Sequence, residues 1–264
     1  VEEETFYVKV VKTKRHEYTP SSDAYGKIVS SRIGDLRFGV SGRVNFISNS
    51  FLNGAYVKNG QILAKLDQTR FLLEIKKLNF ETQELASQLD IRKRQIKRYK
   101  SMLSTKVISQ NKYDNELILL SKNKSDFNRS KIILEKAKQD LSDTILRAKY
   151  NGRLYNVKIN KGQFISSNEK LANIFSTEDL EVEFVIPSKI YSNSDNLIGK
   201  SIDVIWEGGN TTLKNIKAKI ERTDGKTNEE EGGGKLFAKI NIVENKSNYI
   251  PLGLSLIHIS EPTR

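Results

Sequence analysis

Residues 71–103, FLLEIKKLNFETQELASQLDIRKRQIKRYKSML, contain the pattern that decides the fold. Steps of four and three residues, taken alternately from Phe71, reach a row of mainly apolar side chains that ends at Leu103. Such a heptad row is typical of a long helix that packs along one stripe against a second helix. The predicted row consists of Phe71, Ile75, Leu78, Thr82, Leu85, Leu89, Arg92, Ile96, Tyr99 and Leu103.

The same stepping from Tyr113 gives a second row, which predicts the partner helix. The joint between the rows, residues 104–111 (STKVISQN), is polar and short, so the two helices must run antiparallel. Residues 61–151 contain neither glycine nor proline, as expected of uninterrupted helix. We therefore predict an antiparallel coiled-coil hairpin over residues 68–147. Its second row consists of Tyr113, Leu117, Leu120, Lys124, Phe127, Lys131, Leu134, Lys138, Leu141 and Ile145.

Two similar segments flank the predicted hairpin. Residues 54–66, GAYVKNGQILAKL, align without a gap with residues 162–174, GQFISSNEKLANI, and each follows a Gly-Arg-aliphatic triplet, at 42–44 and 152–154. Short apolar runs alternate with Gly or Asn where a turn needs positive φ. Neither half is long enough to close a core alone, so we predict one interlocked β-sandwich, residues 36–67 with 148–178. Two independent hairpins of similar composition are the alternative.

The remaining residues predict a second β domain. Alternating apolar and polar side chains occur at 180–186, 201–206, 216–222 and 235–243, separated by clusters of Gly, Asn and Asp. With residues 24–30, these strands predict a small antiparallel β-barrel, residues 21–35 with 179–253. The triplet Gly232-Gly233-Gly234 follows an acidic run and predicts a flexible hairpin tip. The fold class is therefore α+β, mostly β with an inserted coiled-coil hairpin, and elongated.

Composition excludes several kinds of chemistry. The chain of 264 residues contains no cysteine, so it has no disulfide framework, thiolate metal site or cysteine nucleophile. His16 and His258 are its two histidines, which argues against a histidine-based triad or metal site. We therefore expect no enzyme activity, catalytic residue, cofactor or metal. No apolar run approaches the roughly 20 residues that span a bilayer.

We make separate predictions for the two ends of the sequence. Because the chain begins at Val1, we expect the translation start and any signal or lipid-anchor segment to precede it. Residues 254–264, LSLIHISEPTR, are similar to the translation of an adaptor used in preparing sequencing libraries, and we expect them to be an artefact. A genuine C-terminal strand is the alternative.

A split lipoyl-like sandwich, interrupted by a helical hairpin and followed by a barrel, resembles the periplasmic adaptor proteins of tripartite efflux pumps. These are also called membrane fusion proteins, of the HlyD and AcrA type. The resemblance extends from about Gly26 to Gly253, and residues 180–187, LEVEFVIP, resemble the strand that enters the barrel. Two positions depart from the family pattern, since Lys149 replaces a frequent proline and Leu252 interrupts a Pro-Gly pair.

The resemblance is residue-specific at the hairpin tip. Arg98, Met102 and Ser109 have the spacing of the Arg-Leu-Ser signature with which such adaptors engage the helical tips of a TolC-like outer-membrane channel. Met102 in place of Leu conserves an apolar side chain. An Arg side chain can bind carbonyls or a carboxylate of a partner, and a Ser hydroxyl adds a directional contact. The alternatives are an N-cap for Ser109, a solvated helix face for Arg98 and seam packing for Met102.

The resemblance also implies partners and a location. It implies an inner-membrane transporter, with the resistance-nodulation-division (RND) type favoured by the tip signature and an ABC exporter or type I secretion system as the alternative. It implies self-association into a ring, with a hexamer expected. A segment preceding Val1 would anchor the protein at the inner membrane, in the periplasm of a Gram-negative bacterium. Residues 1–20 would be a poorly packed remnant of a membrane-proximal domain.

Two other functions are disfavoured by particular residues. The chain carries 44 Lys and Arg against 32 Asp and Glu, a net charge of +12, and six of the nine residues from Arg92 to Lys100 are basic. Because the helix offers no groove-reading module and no aromatic platform, we expect a solvated rod and no nucleic-acid partner. A biotinyl or lipoyl carrier is disfavoured because neither Lys65 nor Lys149 lies in a carrier-type acceptor motif.

Overall fold

The computed structural model describes residues 24–208, 211–228, 233–240, 255–256 and 258–260. The predictions for residues 1–20 lie outside this range. The chain divides into two units, Val1–Ser31 with Glu178–Arg264, and Arg32–Thr177. Together they confirm the predicted α+β class, with a sandwich, an inserted hairpin and a barrel. No helix in the described ranges is long and apolar enough to cross a bilayer.

The elements follow one another along the chain, and β1 before the hairpin joins six described strands after it in the barrel or its closure. They are β1 (Gly26–Ser30), β2 (Ile33–Leu36), β3 (Gly42–Ile47), β4 (Tyr56–Val57), β5 (Ile62–Leu66), α1 (Thr69–Ser104), α2 (Gln110–Ser142), β6 (Ile145–Arg147), β7 (Gly152–Tyr155), β8 (Phe164–Ile165), β9 (Ala172–Ser176), β10 (Leu180–Pro187), α3 (Ser188–Tyr191), β11 (Ser201–Gly208), β12 (Thr211–Asn228), β13 (Gly233–Ile240), β14 (Ser255–Leu256) and β15 (His258–Ser260).

Each sheet of the sandwich combines strands from both halves of the sequence repeat. One sheet has the order β2-β9-β7-β4 and the other has the order β6-β5-β3-β8, with all neighbours antiparallel. Exchanging β2–β5 with β6–β9 converts one order into the other. The two half-motifs are therefore interlocked, and the alternative of two independent hairpins is excluded.

The matched turns of the repeat have matched backbone conformations. Gly54 and Gly162 have φ of 79° and 83°, and their N–H groups donate to the carbonyls of Leu154 and Val44, at 2.7 and 2.9 Å. Left-handed backbone of this kind favours glycine because a Cβ atom would be strained there. The predicted positive φ at these turns is thus confirmed, and the glycine N–H groups link each half of the repeat to a strand of the other half.

The boundary between the hairpin and the sandwich differs from the prediction. Ile145, predicted as the last seam residue of the second helix, lies in β6, which pairs with β5. Residues 32–35, predicted for the barrel, include the start of β2, which pairs with β9 in the sandwich. Both errors have one cause, because short edge strands carry too few residues for their partner to be read from alternation alone.

The seam of α1 lies where the heptad pattern placed it. None of its ten predicted residues is exposed, and Leu78, Leu89 and Ile96 are buried. The predicted seam of α2 was half wrong, since the residues predicted there at 117, 124, 131 and 138 are exposed. The side chains that turn inward are instead Tyr113, Glu116, Leu120, Asn123, Phe127, Ser130, Leu134, Ala137 and Leu141.

The correction in α2 has a physical reason. The observed seam follows steps of three and then four residues from Tyr113, whereas the prediction used four and then three. The observed row includes small and polar side chains, so counting apolar residues favours the wrong row. Ser130 and Ala137 are small enough for close helix approach, and the Ser130 hydroxyl donates to the Phe127 carbonyl at 2.8 Å. Glu116 is held in the seam by an opposite charge on α1. Packing of the two helices therefore overrides the apolar count.

The barrel unit is a seven-stranded antiparallel sheet of order β14-β1-β10-β13-β12-β11-β15. Its buried core includes Ile28, Val182, Val204 and Leu236. Strands β14 and β15 lie on either side of residue 257, and they pair with the two opposite edge strands, β1 and β11. One chain segment therefore closes the sheet, and it is the segment that the sequence predicts to be an artefact.

Gly233 and Gly234 do not form the flexible tip that the sequence predicted. Both are buried in β13, between β10 and β12. A Cβ atom on Gly233 would lie 1.9 Å from the Ile186 carbonyl oxygen, and one on Gly234 would lie 2.3 Å from the Tyr191 ring. Glycine is needed here for close approach rather than for flexibility.

Candidate functional site at the hairpin tip

Helix α1 ends in a Schellman motif that reverses the chain within residues 105–109. The Val107 N–H donates to the Met102 carbonyl at 2.9 Å, and the Lys106 N–H donates to the Leu103 carbonyl at 3.0 Å. Lys106 has φ of 59°, a position usually occupied by glycine. Because these bonds satisfy the last carbonyls of α1, the tip is a defined turn.

Ser109 is the N-cap of α2. Its backbone is extended and its Oγ accepts a hydrogen bond from the Lys112 N–H at 3.3 Å. This N-cap role is the predicted alternative to a partner contact. The residue is also exposed, so the second acceptor position of the hydroxyl remains accessible to a partner.

Arg98 and Met102 lie one turn apart on one face of α1, four residues from each other. Met102 is 38% exposed, and the adjacent Leu103 occupies the seam in its place, so the seam-packing alternative for Met102 is wrong. Arg98 is exposed and forms no ion pair with the residues that the structure describes. The tip therefore presents a cationic and an apolar side chain on a rigid helix end.

Val107 is a tip residue that the sequence analysis missed. It stands at the end of the Schellman motif and is 65% exposed. An apolar contact with Met102 is the usual companion of this motif, but an exposure this high leaves most of the Val107 side chain uncovered. Two adjacent apolar residues, Val107 and Ile108, in an otherwise polar joint were the signal that could have found it.

A buried ion pair lies in the seam just below the tip. Arg92 Nη1 of α1 donates to Glu116 Oε2 of α2 at 2.9 Å, and Lys112 Nζ lies 3.4 Å from Glu116 Oε1. The Glu116 side chain is only 8% exposed. A charge pair in an apolar seam specifies helix register, because a shifted register leaves a buried charge without its partner.

An open groove lies at the base of the hairpin. It is lined by Arg43, Asp67, Arg70, Leu73 and Phe164, together with Gly42 and Thr69. Hydrogen bonds from the backbone N–H and hydroxyl of Thr69 hold the pKa of the Asp67 carboxyl below its usual range. Asp67, the residue before the N-cap Gln68, thus accepts from the first N–H group of α1, which is a structural role.

The described residues contain no constellation for metal chemistry. Nowhere in these ranges do three or more His, Cys, Asp and Glu side chains group so that they could hold an ion. The features that stand out are the exposed tip and the long hairpin that carries it.

This architecture, a split sandwich that carries a helical hairpin and is joined to an antiparallel barrel, is the fold of the membrane fusion proteins. Among solved structures, MacA from Actinobacillus actinomycetemcomitans matches with a TM-score of 0.71 and 18% identity, covering 95% of this chain and 81% of that one. A membrane fusion protein from Streptococcus pneumoniae R6 matches with a TM-score of 0.67 and 14% identity, covering 92% and 100%.

The curated relatives include a multidrug resistance protein and a periplasmic linker of a solvent efflux pump. The multidrug resistance protein MdtA of Photorhabdus laumondii is 24% identical over 164 residues, which are 61% of this chain and 40% of the relative. The solvent efflux pump periplasmic linker SrpA of Pseudomonas putida is 24% identical over 182 residues, 68% and 44% of the two chains. No family model matches the sequence. The resemblance to periplasmic adaptors is confirmed, and the chain spans about two fifths of the length of these relatives.

Proposed function

We propose that this chain is the non-enzymatic adaptor that joins an inner-membrane transporter to an outer-membrane channel in a tripartite efflux pump. The observation that carries the proposal is the hairpin tip, where Arg98 and Met102 are exposed on one face of α1 beside a defined turn. A rod of 36 residues in α1 extends about 54 Å at 1.5 Å per residue, which suits a reach between two partners. The adaptor would hold the transporter and the channel in position relative to each other, while the transporter would supply the energy for export.

Charge and shape at the tip suit a helical partner. Arg98 can donate up to five hydrogen bonds to carbonyl or carboxylate groups at the ends of channel helices. Met102 and Val107 supply apolar surface beside it, and Ser109 supplies a hydroxyl at the start of α2. We infer that these four side chains contact a TolC-like channel.

The finer assignments belong to the same proposal. The transporter is proposed to be of the RND type, with an ABC exporter or a type I secretion system as the second candidate. The protein is proposed to act in the periplasm of a Gram-negative bacterium, anchored to the inner membrane, as a hexameric ring that exports small molecules. Crosslinking in cells followed by identification of the captured transporter separates the two transporter classes.

The experiment that tests the tip is a charge reversal at Arg98. In cells that depend on the pump, we expect Arg98→Asp to abolish export and site-specific crosslinking to the channel. Arg94→Asp is the matched control, because Arg94 is an exposed arginine one turn earlier on the outer face of the same helix. Unchanged crosslinking and export for Arg98→Asp contradict the proposed contact.

A further inference from the structure

The open groove at the base of the hairpin combines exposed apolar side chains with two arginines. Phe164 of β8 is 59% exposed and Leu73 of α1 is 62% exposed, and both line the groove. Arg43 of β3 and Arg70 of α1 line it as well. Its volume of about 370 Å³ lies within the range of small-molecule pockets, roughly 300 to 1,000 Å³. The sandwich and the start of the hairpin therefore each supply one apolar and one cationic side chain.

The two sandwich residues of the groove are direct neighbours across two strands. Arg43 and Phe164 are paired in the register of β3 and β8, and both are exposed. Side chains that are paired in this way project from the same face of a sheet. The guanidinium group of Arg43 and the ring of Phe164 therefore offer a charge and an apolar surface next to each other.

The sequence repeat contains a second pair of the same kind. Tyr56 of β4 is paired with Arg153 of β7, and Tyr56 is 46% exposed. The residues that complete the groove, Arg70 and Leu73, belong to the hairpin inserted after the first half of the repeat, and they line the groove together with Phe164. The insertion therefore builds the groove at one of two equivalent positions, and the Tyr56 pair supplies a matched control.

Both arginines of the groove are held in place and keep donors for a ligand. Arg43 donates to the Gly162 carbonyl at 2.9 Å, and Arg70 donates to the Ser41 carbonyl. Neither arginine forms an ion pair within the part of the chain that the structure describes. Because a guanidinium group has up to five N–H donors, each can bind a further acceptor without giving up its backbone contact.

The charge of the groove favours an anion. Among the residues that line it, Asp67 carries the carboxylate. Its Oδ1 accepts hydrogen bonds from the Thr69 N–H and hydroxyl, at 3.0 and 2.7 Å, so this carboxylate is already engaged at the start of α1. Two guanidinium groups outnumber it, and the lining keeps a net positive charge. A carboxylate on a ligand is the complementary group, because arginine binds carboxylates through charge-assisted hydrogen bonds.

We propose that this groove binds a small aromatic carboxylate. The ring of the ligand packs on Phe164 and Leu73, and its carboxylate accepts hydrogen bonds from Arg43 and Arg70. Aromatic rings contact one another favourably in offset or edge-to-face arrangements, and a rigid ring loses less conformational freedom on binding than a flexible chain. Such a ligand connects the sandwich to the hairpin. The site goes beyond the proposed adaptor function and needs neither a channel nor a transporter.

Calorimetric titration of the full 264-residue chain with three matched probes tests the class of ligand. Naphthoate carries the carboxylate, naphthamide lacks the charge, and naphthylmethylammonium reverses it. We expect naphthoate to bind about tenfold more tightly than naphthamide, because charge-assisted hydrogen bonds are roughly twice as strong as neutral ones. The ammonium probe is expected not to bind. Equal affinities for the three probes, or no binding of naphthoate, overturn the proposal.

Variants of exposed side chains locate the site. Arg70→Gln is expected to weaken naphthoate binding about tenfold and Phe164→Ala several-fold, and neither removes a buried side chain. Arg94→Gln, at another exposed arginine of α1, and Tyr56→Ala, at the repeat equivalent of Phe164, are the matched controls and are expected to bind normally. Normal binding by Arg70→Gln, or an equal loss of affinity in the controls, contradicts the assignment.

Thermal stability and self-association separate a ligand site from a contact between copies of the chain. A ligand that binds the folded state stabilises it, so naphthoate is expected to raise the unfolding midpoint of the unaltered chain but not that of Arg70→Gln. Sedimentation measures whether Phe164→Ala alters self-association. Altered self-association with unchanged naphthoate affinity makes the groove an interface between copies and overturns the proposal. None of these experiments measures export, so their outcome is independent of the Arg98 test.

Discussion

The guanidinium group of Arg43 donates a hydrogen bond to the carbonyl oxygen of Gly162, with 2.9 Å between Nη1 and the oxygen. Arg153 makes the equivalent contact with the carbonyl of Gly54, at 2.7 Å. Each arginine belongs to a Gly-Arg-aliphatic triplet, and each contacts the positive-φ glycine of the opposite half. The sequence repeat therefore encodes the interlock as a pair of reciprocal contacts.

The first prediction concerns these two arginines. We expect Arg43→Ala and Arg153→Ala each to lower sandwich stability by about 1 kcal/mol, the net contribution of one hydrogen bond. Hydrogen exchange of residues 42–47 and 162–165 measures the effect on both halves. Arg129→Ala, an exposed arginine of the hairpin, is the control. The prediction is contradicted if both segments exchange as slowly in Arg43→Ala as they do in Arg129→Ala.

The second prediction concerns the ion pair in the hairpin seam. Arg92→Leu removes the partner on α1 of the buried Glu116 carboxylate and leaves it only Lys112 of its own helix, so the variant is expected to destabilise the hairpin by up to roughly 3 kcal/mol. Arg92→Leu with Glu116→Leu is expected to recover most of that loss, because two apolar side chains replace the pair. Thermal unfolding followed by helical circular dichroism measures both variants.

The role of the ion pair in fixing the register of the two helices can be tested with the same variants. The double variant removes the penalty for a shifted register, so its two helices are expected to slip. A disulfide between Gln68→Cys and Thr144→Cys, whose side chains are hydrogen-bonded at 2.7 Å, is expected to form with a higher yield in the native register than in a shifted one. An equal disulfide yield with and without the ion pair contradicts the register role.

Periodicity predicted the two helices and the seam of α1, because helix packing repeats every three or four residues along the sequence. The short joint predicted that the helices run antiparallel. Periodicity could not predict the α2 seam, since Glu116 enters it only through its partner Arg92, 24 residues away. The burial of Gly233 and Gly234 was missed for a similar reason. Their neighbours Ile186 and Tyr191 come from other elements, and local composition does not contain them.

At the hairpin tip, too, some features could be predicted from the sequence and others could not. The N-cap role of Ser109 could be predicted because it depends on residues three positions apart. The exposure of Met102 agrees with the predicted row, which places the adjacent Leu103 in the seam, whereas the exposed Val107 was missed. The exposure of Lys124, Lys131 and Lys138 also escaped the sequence analysis, since the incorrect α2 row assigned these lysines to the seam.

The third prediction concerns the dependence of sandwich stability on pH. Hydrogen bonds from Arg37 and Lys170 lower the pKa of the Asp35 carboxyl from its usual value. A carboxyl with a lower pKa in the folded state contributes stability above its unfolded pKa, about 3.9, and loses it as pH falls through the folded value. Asp35→Asn is therefore expected to reduce the loss of stability below about pH 4.

Urea unfolding at a series of pH values checks this effect. The midpoint of Asp35→Asn is expected to lie below that of the unaltered chain at neutral pH and to converge with it in acid. Asp224→Asn, at an exposed position of the barrel, is the control. Parallel curves for Asp35→Asn and the unaltered chain contradict the role given to Asp35.

The fourth prediction separates two adjacent glycines of the barrel. A Cβ atom on Gly233 meets the backbone carbonyl of Ile186, which cannot move without disrupting β10. A Cβ atom on Gly234 meets the ring of Tyr191, a partly buried side chain whose displacement leaves the backbone of β10 in place. We expect Gly233→Ala to destabilise the barrel by several kcal/mol, roughly the cost of severe overpacking, and Gly234→Ala by about 1 kcal/mol. Equal losses in urea unfolding contradict the steric account.

The fifth prediction concerns Lys106, the left-handed residue of the tip. Its φ of 59° strains a side chain with a Cβ atom but suits glycine, so Lys106→Gly is expected to stabilise the tip by about 0.5 kcal/mol. Lys106→Val places a β-branched side chain in the same conformation and is expected to cost about 2 kcal/mol. Hydrogen exchange at the Val107 amide, which donates to Met102, reports the turn directly.

The same pair of variants separates the shape of the tip from its charge. Both substitutions remove one positive charge, so a channel that needs the Lys106 ammonium group loses export in both. If the channel instead needs Arg98 and Met102 held at the end of an intact α1, Lys106→Gly is expected to export normally. Lys106→Val is then expected to lose export in proportion to its faster exchange at Val107. Loss of export in Lys106→Gly with a protected Val107 amide contradicts a role limited to shape.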